Sequence, residues 1–281
     1  MQFALGKFRC SVVSDGVWRV DGGTIFGVVP RVLWQKLVEP DEIGRIPLGL
    51  NSLVVRTPDA LVLVETGIGT KMSRKAREFH DFGSGTLVPE LARVHVEPAD
   101  VDIVILTHLH FDHCGGNTVL ERGAVRPTFP NAKYVIQSSE WHDATHPDGL
   151  TRAGYDPDDF AVLEQSGQLH LVEGTEEIIR GVTCVHTGGH SRGHQMVLVE
   201  SAGRVCCYPG DIMFTRWHVK PHYISAYDLN QAATYYTKLK LLEEACAHEW
   251  VMCWGHEMAP TISTLKREGD RIVAAPAEVS G

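Results

Sequence analysis

No apolar stretch in these 281 residues reaches about 18, the length a membrane-crossing helix needs. The opening "MQFALGKFRC" has no basic start followed by a long apolar core, so export is not expected and a cytoplasmic location is. Cysteine is sparse and unpaired in pattern: Cys10, Cys114, Cys184, Cys206, Cys207, Cys246 and Cys253 are odd in number and lack zinc-ribbon spacing. Reduced thiols are therefore expected, without disulfides. Linker-like Pro/Gly/Ser runs and long single-sign charge runs are also missing, which predicts one domain over residues 1–281. No basic patch stands out against a formal charge of −9, so nucleic acid is not an expected partner.

What the chain does have is 43% hydrophobic residues in short patterned runs. "FRCSVVSDGVWRV", "NSLVVRT" and "ALVLVETG" form an early β-rich group, and "VTCVHTG", "QMVLVES" and "RVCCYPGD" a late one. Helical spacing appears around "PRVLWQKLV", "KMSRKAREFH" and "TLVPELARV", and most clearly in "LNQAATYYTKLKLLEEACAHE", which reads as an amphipathic cover for a sheet. Strands alternating with helices predict a layered α/β architecture.

The chemistry concentrates in "THLHFDHCGG", residues 107–116, directly after the apolar run "VDIVIL". "VDIVIL" reads as a buried strand, so His108, His110, Asp112 and His113 fall on the loop that leaves it. Alternate residues of an extended segment share a side, which lets His108 and His110 reach one point while Asp112 and His113 reach another. Two metal positions are thus geometrically accessible. Imidazole nitrogen and carboxylate oxygen suit zinc, and the absence of a closing cysteine set points to an open, catalytic site. Later strand-like runs each end in a further ligand candidate, in "HTGGHSRGH", "CCYPGD" and "WVMCWGHE".

In that order, "HLHFDH", "TGGHSRGH", "YPGD" and "WGHE" resemble the motifs of the metallo-β-lactamase superfamily. The resemblance extends over most of the chain and favours the branch of the N-acyl homoserine lactonases and methyl parathion hydrolase-like enzymes, through size, motif order and the early "FGVVP" segment. It implies an α/β fold of four layers, an αββα sandwich. It also implies two divalent metal ions, expected to be zinc: His108, His110 and His190 at one, Asp112, His113 and His256 at the other, with Asp211 and a hydroxide bridging them. Two cations about 3.5–4 Å apart repel, and shared anionic ligands offset that repulsion. Asp112 is expected to double as the catalytic proton relay between the attacking water and the leaving oxygen.

The remaining candidates belong to the substrate. Phe26, in the glycine-rich "GGTIFGVVP", either curls over the metals as an apolar wall or packs on its own core. His218 and Tyr223, in "TRWHVKPHY", either line the pocket or sit on an exposed loop. His186 and His194 are expected to make structural hydrogen bonds, and Cys114 has no assigned role. Two departures from the family pattern stand out. Glu65 occupies a position where many relatives carry aspartate, and Phe214, in "GDIMF", stands where the lactonases place a tyrosine that assists the substrate carbonyl.

The leading expectation is a dinuclear zinc hydrolase that opens a lactone or cleaves a carboxylic ester, with a small-molecule ester or lactone as partner and a homodimer as an open option. A phosphoric ester or triester hydrolase is the alternative. A di-iron redox module fits less well, because such relatives carry glutamate where His110 stands and need a flavin partner. A metal-holding sensor without turnover and a nuclease are the weakest readings.

Overall fold

In the computed structural model, which describes residues 1–277 and 279, the chain starts with β1 (Gln2–Leu5), the early β-rich runs become β2 (Phe8–Asp21), β3 (Arg45–Arg56) and β4 (Leu61–Val64), and "VDIVIL" becomes β5 (Ile103–Ile105). A hairpin of β6 (Thr118–Glu121) and β7 (Ala124–Pro127) stands apart, and β8 (Lys133–Gln137) and β9 (Leu169–Val172) complete a seven-stranded sheet in the order β1-β2-β3-β4-β5-β8-β9. The second sheet also has seven strands, in sequence order: β10 (Thr175–Ile179), β11 (Val182–His186), β12 (Gln195–Ser201), β13 (Arg204–Tyr208), β14 (Val251–Cys253), β15 (Ile262–Glu268) and β16 (Arg271–Pro276).

The sheets meet face to face because both present branched apolar side chains inward. Leu53, Val62, Val64, Ile105 and Val135 of the first pack with Val182, Val197, Cys206 and Val251 of the second. Each fully buried aliphatic of this kind contributes about 1.5–3 kcal/mol. Among the described residues eight α-helices occur: α1 (Gly22–Phe26), α2 (Arg31–Trp34), α3 (Arg74–His80), α4 (Leu87–Arg93), α5 (Phe111–Cys114), α6 (Ser138–Thr145), α7 (Ala161–Gln165) and α8 (Gln231–Ala247). The outer face of the first sheet buries Leu63, Val104, Tyr134 and Ile136 against Leu91 of α4, Ala144 of α6 and Leu163 of α7. On the other side, Leu241, Leu242 and Ala245 of α8 cover Cys207, Met252 and Leu265. The order helix, sheet, sheet, helix is the expected αββα sandwich.

Two local expectations are corrected. "PRVLWQKLV" is helical only over Arg31–Trp34 and then runs through turns, because Trp34 is held in a stack on Phe26 and Pro40 blocks continuation. The glycine-rich "GGTIF" is the short helix α1, started by the Asp21 side chain, which accepts from Thr24 N at 3.0 Å.

Strand direction decides where the loops go. β4, β5 and β8 run parallel, so their C-terminal ends open on one edge and deliver Glu65, residues 107–113 and Glu140 there. In the second sheet β13 and β14 are parallel, and β11 points the same way across two antiparallel steps. Their ends carry His190, Asp211 and His256 to a common edge, the usual place for a site in layered sheets with parallel strands.

Burial also settles the cysteines. All except Cys246 are buried, and burial raises the thiols of Cys10, Cys114, Cys184, Cys206, Cys207 and Cys253. A thiol reagent should label Cys246 alone in native protein and all seven cysteines after denaturation; rapid labelling of a second thiol in native protein would contradict the packing.

Candidate metal centre

The turn after β5 folds as the motif spacing requires. His108 and His110 lie on extended chain, then α5 turns the backbone so that Asp112 and His113 face a second point. His108, His110 and His190 converge as one group, and Asp112, His113, Asp211 and His256 as another, with the ligand atoms of each group all within 4.8 Å of one another. In the first, His110 Nδ1 lies 3.0 Å from His108 Nε2 and 3.1 Å from His190 Nε2. In the second, His256 Nε2 lies 3.2 Å from His113 Nε2, and Asp112 Oδ2 lies 3.4 Å from His113 Nε2 and 3.7 Å from His256 Nε2. Nitrogens bound to one tetrahedral zinc at about 2.0–2.1 Å would be roughly 3.3 Å apart, close to these spacings.

Asp211 stands between the groups and divides its oxygens. Oδ2 faces His190 Nε2 at 3.4 Å and His108 Nε2 at 4.0 Å, while Oδ1 faces His113 Nε2 at 3.2 Å and His256 Nε2 at 3.1 Å. Its approach is set by Gly210, whose φ of +56° suits glycine; a Cβ there would sit 2.5 Å from His194 Nε2.

Outward hydrogen bonds fix the imidazoles. His256 Nδ1 donates to Gly49 O at 2.9 Å, His190 Nδ1 to Asp228 Oδ1 at 2.8 Å, and His113 Nδ1 to Glu65 Oε2 at 2.5 Å. A neutral imidazole has one N–H, so a proton spent outward leaves a lone pair on Nε2 facing the centre. In that neutral tautomer, lone pairs of His113 and His256 point at a carboxylate oxygen, Asp211 Oδ1, which is buried and accepts no well-formed hydrogen bond despite both nitrogens being near. Acceptors facing acceptors repel unless a cation lies among them, so these residues fit divalent metal ions and could hold them.

The electrostatics show neutral imidazoles at one point and a demand for positive charge at the other. Burial, reinforced by neighbouring histidines, holds His108 well below the usual imidazole value and brings His110 down to about 3, which keeps both neutral. Burial opposes the charge on Asp211, yet His113, His256 and His190 hold its carboxyl well below the ordinary range. Burial likewise opposes charge on His113, but Asp211, Asp112 and Glu65 raise it well above normal, so these anions favour a positive charge at this point, carried by a proton or, in its place, by a bound cation. The centre is a buried anionic pocket lined by imidazoles.

The metallo-beta-lactamase superfamily profile matches residues 45–256, a span from β3 to the last of these histidines. The chain belongs to this superfamily. A curated N-acyl homoserine lactonase from a Bacillus species is 30% identical over 173 residues, a match spanning 58% of this chain and 62% of that protein. The crystal structure of a probable metal-dependent hydrolase from Staphylococcus aureus superposes with a TM-score of 0.91 at 27% identity, covering 99% of this chain and all of that one. AidC, a dizinc quorum-quenching lactonase solved with its product, superposes at 0.81 with 19% identity, covering 100% of this chain and 98% of that chain, and carries the fold alone.

Within the superfamily fold, the expected substrate residues have distinct places. Phe214 lies against the centre: its ring stacks on His256 with centroids 5.4 Å apart and meets His190 edge-on at 5.6 Å. His218 is buried one layer back, 5.5 Å from Phe214, with Nδ1 on Thr215 Oγ1 at 2.9 Å and Nε2 on Ile25 O at 3.2 Å. Phe26 is fully buried behind it, between Trp34 and His218. Tyr223 packs edge-on to Phe26, and its hydroxyl takes a hydrogen bond from Lys220 Nζ at 3.2 Å. His194 accepts from Asp211 N at 3.0 Å and His186 donates to Arg192 O at 2.8 Å, the structural bonds expected of them.

Glu65 touches more than expected. It sits at a φ of +67°, uncommon for a side chain of its size, and joins His113 Nδ1 to Thr107 N, from which it accepts at 2.6 Å. Asp228, Glu140 and Lys238 escaped the sequence reading altogether. Asp228 orients His190. Lys238 is buried in α8 and donates to the carbonyls of Lys220 and Tyr223, holding the loop that runs from Phe214 to Asp228. No local motif marks any of the three.

Burial drives the Lys238 amine down to about 7 from an unfolded value of 10.5, with Asp228 opposing. Between those values the unfolded chain binds more protons, so this lysine makes stability rise with pH from about 7 toward 10.5, by up to about 1.4 kcal/mol per pH unit. Denaturant unfolding at pH 6 to 9 should show that rise in the natural protein and a flatter profile in Lys238→Met; equal slopes would place the lysine in water.

Proposed function

We propose that this protein is a dinuclear zinc hydrolase that opens a lactone or cleaves a carboxylic ester. The observation that carries the reading is Asp211, whose two oxygens each face a different set of ligand atoms, Oδ1 without a well-formed hydrogen bond. His108, His110 and His190 would hold one ion, Asp112, His113 and His256 the other, and Asp211 both. When bound, such a pair polarises a carbonyl and lowers the pKa of water to about 7. Support for a lactone comes from the curated relatives named N-acyl homoserine lactonase.

The chain's own residues supply the rest. Asp112 is the less buried of the two central carboxylates, at 8% exposure against 3% for Asp211, and lies in the first turn of α5. It accepts the proton of the attacking water and returns it to the leaving oxygen. Phe214 gives the substrate an apolar, aromatic wall. It has no O–H or N–H to offer a carbonyl, and the polar atoms of His218 and Tyr223 are engaged elsewhere. That missing donor favours a second reading, phosphoric ester or triester hydrolysis, in which the two-metal site carries the charge without a tyrosine.

Metal analysis with rates on acyl homoserine lactones, aryl esters and phosphotriesters, before and after chelation, tests both. About two zinc per chain with chelator-sensitive lactone opening supports the first reading, and a phosphotriester preference the second; active metal-free protein would sink both. Asp112→Asn should cut turnover about 100-fold or more while metal content changes little, and parallel loss of both would reduce Asp112 to a ligand. Phe214→Tyr restores a donor beside the centre and should raise lactone kcat/KM about three- to tenfold, the worth of one hydrogen bond. An unchanged or lower value would mean that the ring at 214 does not face the carbonyl.

A further inference from the structure

Glu140 opens the helix that follows β8, and its carboxylate is fully buried. Among the described residues no lysine, arginine or histidine pairs with it; three neutral donors do. Oε1 accepts from Leu109 N at 2.9 Å and from Tyr155 Oη at 3.0 Å, and Oε2 accepts from Ser191 Oγ at 2.5 Å. Burying a carboxylate without a cation costs several kcal/mol that these bonds must offset, and an apolar side chain would fill the space without that cost. The charge is therefore retained for what it holds.

What it holds is one of the two ligand groups. Leu109 lies between His108 and His110, and Ser191 follows His190. Tyr155 packs its ring 5.3 Å from that of His110. Gly154, the residue before it, lies so close behind His110 that a Cβ would fall 2.6 Å from Cδ2. The second group is tied elsewhere: His113 to Glu65, His256 to Gly49 O, and the backbone of Asp211 to His194. Three segments far apart in sequence thus meet on one carboxylate, and each delivers or backs a histidine of the first group.

We propose that Glu140 is a positioning residue that sets the metal affinity of the His108, His110 and His190 position separately from that of its neighbour. The proposal rests on the two-metal reading above. Removing the carboxylate frees Leu109 N, Ser191 Oγ and Tyr155 Oη together, and the three imidazoles lose their common reference while the other group keeps its own.

Stepwise titration of metal-depleted protein with zinc and with cobalt, followed by calorimetry and by the cobalt spectrum, tests this in Glu140→Ala and Glu140→Gln. The double variant Tyr155→Phe with Ser191→Ala removes two of the donors and carries the test should Glu140→Ala fail to fold. One equivalent should bind 10- to 100-fold more weakly and the other within about twofold of the natural protein, the range seen when a partner of a ligating histidine is lost. Glu140→Gln should fall between, since its amide can keep the Leu109 and Tyr155 bonds while Ser191 turns to accept. The one-metal cobalt spectrum of Glu140→Ala should match that of His190→Ala and differ from that of His256→Ala. Equal weakening of both equivalents, or of neither, overturns the role of Glu140. Natural protein that binds fewer than two equivalents overturns the two-metal reading itself, and the Glu140 proposal with it.

Discussion

Everything at this centre depends on a repulsion. Imidazole nitrogens and carboxylate oxygens are gathered in a buried space where Asp211 Oδ1 makes no well-formed hydrogen bond with the nearby His113 and His256. In water such groups would stay apart, each solvated. Here two sheets stacked on a dry aliphatic core hold six strand ends on one edge, and loops leaving those ends cannot retreat. The fold stores an electrostatic conflict that divalent cations would relieve.

Holding that conflict requires a rigid surround. Each ligating imidazole needs its far nitrogen satisfied, both to choose the tautomer and to stop the ring from turning. For four of the five histidines the chain supplies a partner: a carbonyl for His256, a hydroxyl for His108, and carboxylates for His190 and His113. Glu65 and Glu140 do the same for backbone, accepting from Thr107 N and Leu109 N on either side of His108. The strand-end loop is thus clamped at both edges by buried acids. The left-handed backbone of Glu65 is the local strain that this arrangement carries.

The aromatic side is built differently. Phe214, His218, Phe26, Trp34 and Tyr223 form a continuous run of ring contacts leading away from the candidate metal ligands, and of these five only Phe214 touches them. The loop that carries three of these rings is anchored by Lys238 from behind and ends at Asp228, against His190. Phe214 and Asp228, the carboxylate that orients His190, therefore share one segment of chain. A change in the wall has a direct mechanical path to His190.

The sequence by itself determined the layered α/β class and the ligand candidates, because both are written locally. Strand runs alternate within a few residues, and His108, His110, Asp112 and His113 are spaced so that one turn of backbone separates two points. It could not name Asp228, Glu140, Lys238 or the carbonyl of Gly49. Such residues occur throughout any soluble chain, and their meaning lies in hydrogen bonds to partners tens or hundreds of positions away. The part played by His218 and Tyr223 was equally beyond it, since ten residues of loop can place a side chain on a metal or behind a phenylalanine. Only the tertiary structure decided that: burial required each polar atom to find a partner, and the nearest were Thr215, Ile25 O and Lys220 rather than the centre.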